Sequence, residues 1–188
     1  MKSVLISIKP KWCEMIANGK KTVEFRKTVP KISVPFKCYI YCTKAKNVFD
    51  EFFTDPIEQD LPFGECGNGK VIGEFICDNV YFYERIYGIE GETDCIYNTC
   101  SFDEKYTCLT DKQMGEYGKG KQLFGWHISV LKIYDTPKEL SNFLKPCPYG
   151  DVSCFLCDKS GYNADMHIEC FNTVDRPPQS WCYVEGLP

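Results

Sequence analysis

The chain has 188 residues, a net charge of −4 and 44% apolar residues, enough for one sizeable core and too ordinary for a disordered or low-complexity polymer. No apolar run approaches the length of a membrane span, and Met1-Lys2 is not followed by a signal-peptide apolar region, so a cytoplasmic protein without a membrane role is expected. The 13 cysteines are odd in number and come with no export signal, which favours reduced thiols, some on a metal, over a disulfide scaffold.

Ser3 to Ile8 alternates Val4, Ile6 and Ile8 with Ser3, Leu5 and Ser7, predicting a half-buried first strand. A helix over 10–18 follows, with Pro10 in its first turn, Trp12, Met15 and Ile16 on one face and Gly19 at its end. Thr22 opens a strand over 22–28 in which Val23 and Phe25 share one face and Thr22, Glu24 and Arg26 the other. Phe36 to Thr43 reads as the next strand, 44–69 as a polar excursion, and Lys70 to Glu84 as one long strand bent at Gly73. Residues 85–108 read as an acidic insertion. Thr110 and Gln113 form a capping box for a short helix through about Tyr117. Trp126 to Tyr134 predicts a strand with Trp126, Ile128, Val130 and Lys132 on one face and His127 on the other, and Pro137 predicts a helix to about Leu144.

Charge is distributed unevenly. Residues 1–46 hold eleven Lys/Arg against Glu14 and Glu24, whereas 47–118 hold sixteen Asp/Glu against Lys70, Arg85, Lys105 and Lys112. A basic first quarter on an acidic chain is the pattern of a localised anion-binding face, although acidic loops that neutralise basic strands give the same count. Within that quarter, Lys21, Glu24 and Arg26 converge on one strand face. By periodicity alone this is a solvated surface with weak ion pairs.

Gly19-x-Lys21-x-x-Glu24-x-Arg26 resembles the signature of the ASCH domain, a PUA-like β-barrel family. Ile6–Pro10 and Ile16–Thr22 resemble that family's opening strand–helix–strand unit, and Gly125–Ile128 and Arg176–Val184 resemble its bacterial and prophage branch. The resemblance implies an α+β fold, a small mixed PUA-like barrel with flanking helices. The expected organisation is a barrel core over 1–145 with the insertion at about 85–108, a Cys-rich extension over 146–175, and a terminal strand over 176–188. It also implies a cleft for RNA, a nucleotide or a modified nucleobase, lined by Lys20, Lys21, Thr22, Glu24, Arg26 and Trp126. There Arg26 and Lys20 would hold phosphate, Glu24 would accept a base amino group, and Trp126 or Tyr117 would stack a base.

An enzymatic alternative follows from the same resemblance, an amidohydrolase acting on N-acylated cytidine with Lys21 and Glu24 as its catalytic pair. The chain departs from that pattern, because the position matching the catalytic threonine is Glu24. A ribonuclease using Lys21 and an interaction module in a larger complex are further alternatives. In the tail, Cys154-x2-Cys157 and His167-x2-Cys170 make two chelating pairs that suit one structural Zn²⁺, with Cys147 as a competing ligand and Cys95, Cys100 and Cys108 as a lesser set. Chance pairing in so cysteine-rich a chain gives the same spacing. Arg176, Gln179 and Ser180 either line the cleft or merely lead into a strand pinned by Trp181 and Tyr183.

Overall fold

The computed structural model describes residues 2–44, 68–86, 96–98, 104–146 and 173–187. Strand β1 (Lys2–Ile8) leads into helix α1 (Pro10–Ala17), and β2 (Val23–Arg26) follows. Pro10 sits where a missing N–H costs nothing, and Gly19 takes φ +68°, the left-handed conformation that turns the chain out of the helix. Lys21 N then donates to Met15 O at 2.9 Å, closing the loop back on α1. Next come β3 (Phe36–Cys42), β4 (Val71–Cys77), β5 (Val80–Ile86) and β6 (Ile96–Asn98). Helices α2 (Glu104–Thr107) and α3 (Asp111–Gly118) precede β7 (Leu123–His127), β8 (Ser129–Lys138) and β9 (Trp181–Glu185). The capping box is present in full: Gln113 N donates to Thr110 Oγ1 at 3.3 Å, and Thr110 N donates to Gln113 Oε1 at 3.0 Å.

The strands form a five-stranded sheet, β8-β4-β3-β1-β9, and a four-stranded sheet, β2-β7-β5-β6. The class is mixed α+β, as expected. The closed barrel is not observed: among the described residues no ladder joins one sheet to the other. Instead the chain passes between the sheets four times, and two of those passages, β4 to β5 and β7 to β8, divide a strand that the sequence pattern reads as continuous. Lys70–Glu84 breaks at Asp78–Asn79, where Asn79 Oδ1 accepts from Val80 N at 2.9 Å in a local side-chain turn. Trp126–Tyr134 breaks at Ile128, whose N–H leaves the ladder to donate to Thr22 O at 2.8 Å. Val130, expected on an apolar face, is 79% exposed with φ +46°. His127 clamps the two crossings together, its Nδ1 2.6 Å from Asp78 Oδ1, and this hydrogen bond holds the Asp78 carboxyl below its ordinary value.

Two further expectations are corrected. Residues 137–144 are not a helix, since β8 runs through Pro137 to Lys138 and only a 3₁₀ turn, Leu140–Asn142, follows. An edge strand tolerates proline, and β8 lies at the sheet's edge. Strand β1 is buried on both faces rather than one, because it runs parallel to β3 in the sheet interior. Val4, Ile6 and Ile8 enter the main core with Phe36, Ile40, Phe75, Trp126 and the α1 residues Cys13 and Ile16. Leu5 points the other way, to Tyr39, Tyr41, Phe143, Val174 and Val184. Strand β9 divides in the same manner, with Trp181 and Tyr183 on the main core and Cys182 on the second cluster. A third cluster of Phe25, Tyr83, Met114 and Leu123 anchors α3 to the smaller sheet.

Gly73 marks the expected irregularity, with register shifts on both sides of β4. A Cβ there would lie 2.6 Å from Lys132 O, so only glycine lets β8 approach. Gly73→Val is expected to lower stability by about 1–3 kcal/mol, the range for forced overpacking, as measured by urea unfolding. An unchanged midpoint would show that the strands separate at no cost.

Candidate functional site

A cleft of about 820 Å³ opens over β2. Its floor is Lys21, Glu24, Phe25 and Arg26 with Ser7 from the end of β1. One side is the start of α1, with Lys9 and Trp12, and another is α3 with its leading loop, contributing Leu109, Gln113, Glu116 and Tyr117. Thr43 and the segment 177–180 close the remaining side. A volume of this size lies within the range of small-ligand and cofactor pockets.

The floor is an unbroken line of polar contacts. Ser7 Oγ donates to Pro178 O at 2.6 Å, and Ser7 O accepts from Arg26 Nη2 at 2.7 Å. Arg26 Nη1 lies 3.0 Å from Glu24 Oε1, and Lys21 Nζ lies 3.5 Å from Glu24 Oε2. Lys21 Nζ also donates to Thr107 O at 2.6 Å. The line therefore runs from the C-terminal segment, across β1 and β2, to the end of α2. Lys21, Glu24 and Arg26 are 2%, 5% and 7% exposed, which excludes the solvated-surface reading that periodicity allowed. Arg26 Nε has no hydrogen-bond partner among the described residues and is itself buried beneath the floor.

Burial lowers the Lys21 pKa from its ordinary 10.5, and the neighbouring Glu24 carboxylate opposes the shift without cancelling it. The folded state thus binds this proton more weakly than the unfolded chain does. The charged amine costs folding free energy at neutral pH, and that cost disappears as pH rises through the interval between the two values. Rings surround the ammonium, with the Trp12 centroid at 5.2 Å and that of Phe25 at 5.8 Å.

Of the expected site residues, Lys21, Glu24 and Arg26 come together. Trp126 does not join them: it is fully buried in the core, edge-on to Phe36 with ring centroids 5.5 Å apart, and cannot stack a ligand. Trp126 lies near the end of β7, and its large apolar area is drawn into the core. Tyr117, the other aromatic considered, does border the cleft, and its hydroxyl donates to Phe25 O at 3.3 Å. Lys20 is exposed and outside the cleft lining. Thr22 also lies outside it, its N–H donating to Tyr106 O at 2.9 Å. Gln179 and Ser180 line the cleft while Trp181 and Tyr183 pin β9, so both readings of the tail hold at once; Arg176 is exposed away from it.

Cys147, Cys154, Cys157, His167 and Cys170, like Cys95 and Cys100, lie outside the described residues. Among the described residues no group of three or more His, Cys, Asp or Glu gathers as a metal site. Cys108 instead donates to Lys20 O at 3.3 Å. No helix among the described residues is long and apolar enough to cross a membrane.

Several contributors carry no site signal in the sequence pattern, among them Lys9, Thr43, Gln113 and Glu116. Trp12 shares a helix face with Met15 and Ile16, yet it borders both core and cleft. Ser7 carries no motif, and Thr107 acts through its carbonyl, for which no side-chain signal exists.

No protein-family model matches the chain, and no curated protein matches it. Solved structures of an ASCH protein from Zymomonas mobilis are similar over nearly its whole length. A point mutant of that protein is 17% identical, with 98% of this chain and 91% of that one covered and a TM-score of 0.47. The unmutated protein is 18% identical, with 97% and 87% covered and a TM-score of 0.46. A second point mutant is 17% identical, with 97% and 88% covered and a TM-score of 0.44.

Removing Glu24 strands two buried cations. Glu24→Ala is expected to cost about 3–5 kcal/mol in denaturant unfolding, whereas Glu139→Ala, which breaks the half-exposed Lys70–Glu139 pair, costs under about 1 kcal/mol. Equal small effects would show that the floor is solvated.

Proposed function

We propose that the cleft binds a nucleotide unit of an RNA strand. The observation that carries this reading is the pairing of aromatic and cationic groups around the buried floor. Trp12 on α1 and Tyr117 on α3 both border the cleft, and each has a lysine over its ring: Lys11 Nζ lies 5.3 Å from the Trp12 centroid and Lys27 Nζ 5.0 Å from that of Tyr117. Lys9 borders the opening as well. Flat rings bordered by cations are what a base and its phosphate require, the ring taking the base's π-face and the lysines the charge.

The roles of the signature residues change on this reading. Glu24 spends its two oxygens on Lys21 and Arg26, so its first task is to hold those cations in place. Arg26 contributes its fixed positive charge to the floor, and Gln113, Gln179 and Ser180 supply neutral donors and acceptors for base edges. The ligand's base identity is set by those polar groups, since stacking itself is tolerant of sequence.

A hydrolytic reading has one observation in its favour, the Lys21 pKa lowered by burial, which makes a more nucleophilic amine. Against it, the same nitrogen donates to Thr107 O at 2.6 Å and sits 3.5 Å from Glu24, contacts that favour the ammonium. Binding is the better-supported reading. Incubation with N-acylated cytidine is expected to give no turnover that depends on Lys21.

The binding test is RNA affinity across a salt series. Trp12→Ala and Tyr117→Ala should each weaken binding by about 1–3 kcal/mol, the worth of one stacked base. Lys11→Ala and Lys27→Ala should each reduce the salt slope by about one phosphate contact. Affinity should also fall as pH rises through the lowered Lys21 pKa, before the ordinary 10.5 is reached. Binding indifferent to Trp12 and Tyr117 would overturn the proposal.

A further inference from the structure

A second hollow of about 600 Å³ adjoins the cleft, and the two share Thr43 and Pro177 in their linings. Those two residues form a common ridge, so a ligand that fills the cleft has a neighbouring hollow within reach of its next unit. The second hollow differs in chemistry. Its lining includes Lys44, Glu139, Ser141 and Asp175. Both carboxylates are largely exposed: Glu139 Oε1 accepts from Lys70 at 2.9 Å, and Asp175 Oδ1 accepts from Thr173 Oγ1 at 2.8 Å. Asp175 Oδ2 lies 4.0 Å from Lys145 Nζ, beyond hydrogen-bond length, so each carboxylate keeps lone pairs for an outside donor.

Resting on the reading of the cleft as a nucleotide site, we infer that this hollow takes the sugar and base of the adjoining nucleotide, and that it selects ribose. Glu139 is paired with Lys70 and Asp175 with Lys145, so their charges are compensated and what they offer the hollow is acceptor oxygens, while Lys44 is the lining's own cation. Carboxylates and a serine hydroxyl accept hydrogen bonds from sugar hydroxyls, and the 2′-hydroxyl is the donor that RNA has and DNA lacks. The phosphodiester then crosses the Thr43–Pro177 ridge, where Lys44 is the cation of the second lining. Lys44 is held there by glycine. A Cβ on Gly69 would meet Lys44 Cε at 2.6 Å, so the lysine stem lies directly over a backbone that has no side chain. The recognised unit is a ribodinucleotide step, with one nucleotide in the cleft and its neighbour beyond the ridge.

The experiment compares a ribomononucleotide, the matching ribodinucleoside monophosphate and its deoxy counterpart, titrated against the wild type and an Asp175→Asn/Ser141→Ala double variant whose fold is checked by circular dichroism. The wild type is expected to bind the ribodinucleotide about tenfold more tightly than the mononucleotide, the worth of one further base and its sugar contacts. The deoxy form should lack most of that gain. The double variant should lose the gain and keep mononucleotide affinity, because neither residue borders the cleft. Mononucleotide binding with no gain from the second unit overturns the second subsite and leaves the cleft reading standing. An equal gain for the deoxy form overturns the ribose selection. Failure of all three compounds to bind overturns the cleft reading and this inference with it.

Discussion

The architecture depends on one buried carboxylate. Glu24 lies between Lys21 and Arg26, and through them it joins the end of α2 to the C-terminal segment across the strand floor. Such a triad is a poor source of net stability, since the desolvation of three ions roughly cancels their mutual attraction. Its effect is geometric. Each cation is fixed by the carboxylate on one side and by a backbone carbonyl on the other: Thr107 O for Lys21, Ser7 O for Arg26. Two segments far apart in sequence are thereby set at a fixed spacing on either side of a cleft. An apolar floor of equal volume would pack as well but could not reach those carbonyls.

The same floor sets the electrostatics of the opening. Within it, two cations face one carboxylate, so the buried charge is positive, and Lys9, Lys11 and Lys27 add to it in and around the mouth. Most of the chain's acidic residues lie in 47–118, and of those only Glu116 is in the cleft lining among the described residues. A protein of net charge −4 can thus hold an anion, provided the field is local and partly shielded from solvent. On the proposed reading the aromatic residues complete the site, because lysines alone attract phosphate without selecting a nucleotide.

How much of this was legible in the sequence follows from the range of each interaction. The α1 helix with its proline start and glycine end, β2 and the α3 capping box were readable because each is fixed by residues within a few positions. The convergence of Lys21, Glu24 and Arg26 was readable as a pattern, but its burial was not, since burial is imposed by α2, α3 and the C-terminal segment. The strand breaks at Asp78–Asn79 and Ile128 were not visible because periodicity continues through them: Ile128 leaves its ladder for Thr22, a partner distant in sequence, and the local Asn79 turn is tied down by the equally distant His127. Trp126 illustrates the same limit. A tryptophan beside a candidate site reads equally well as wall or core, and only the opposing strands decide. Thr107 could not be read at all, because a backbone carbonyl leaves no trace in residue identity.

The central claim is that ligand sits on the floor of this cleft against Trp12. The chain has three tryptophans, and their positions separate the outcomes: Trp12 borders the cleft, Trp126 is buried in the core, and Trp181 packs against both Trp126 and Tyr183. The most direct measurement is the indole N–H region of a ¹⁵N-labelled NMR spectrum during titration with a short single-stranded RNA. The account predicts a dose-dependent shift of the Trp12 signal while that of Trp126 stays in place. A spectrum in which Trp12 is unmoved at saturating RNA, or in which only Trp181 responds, would contradict it.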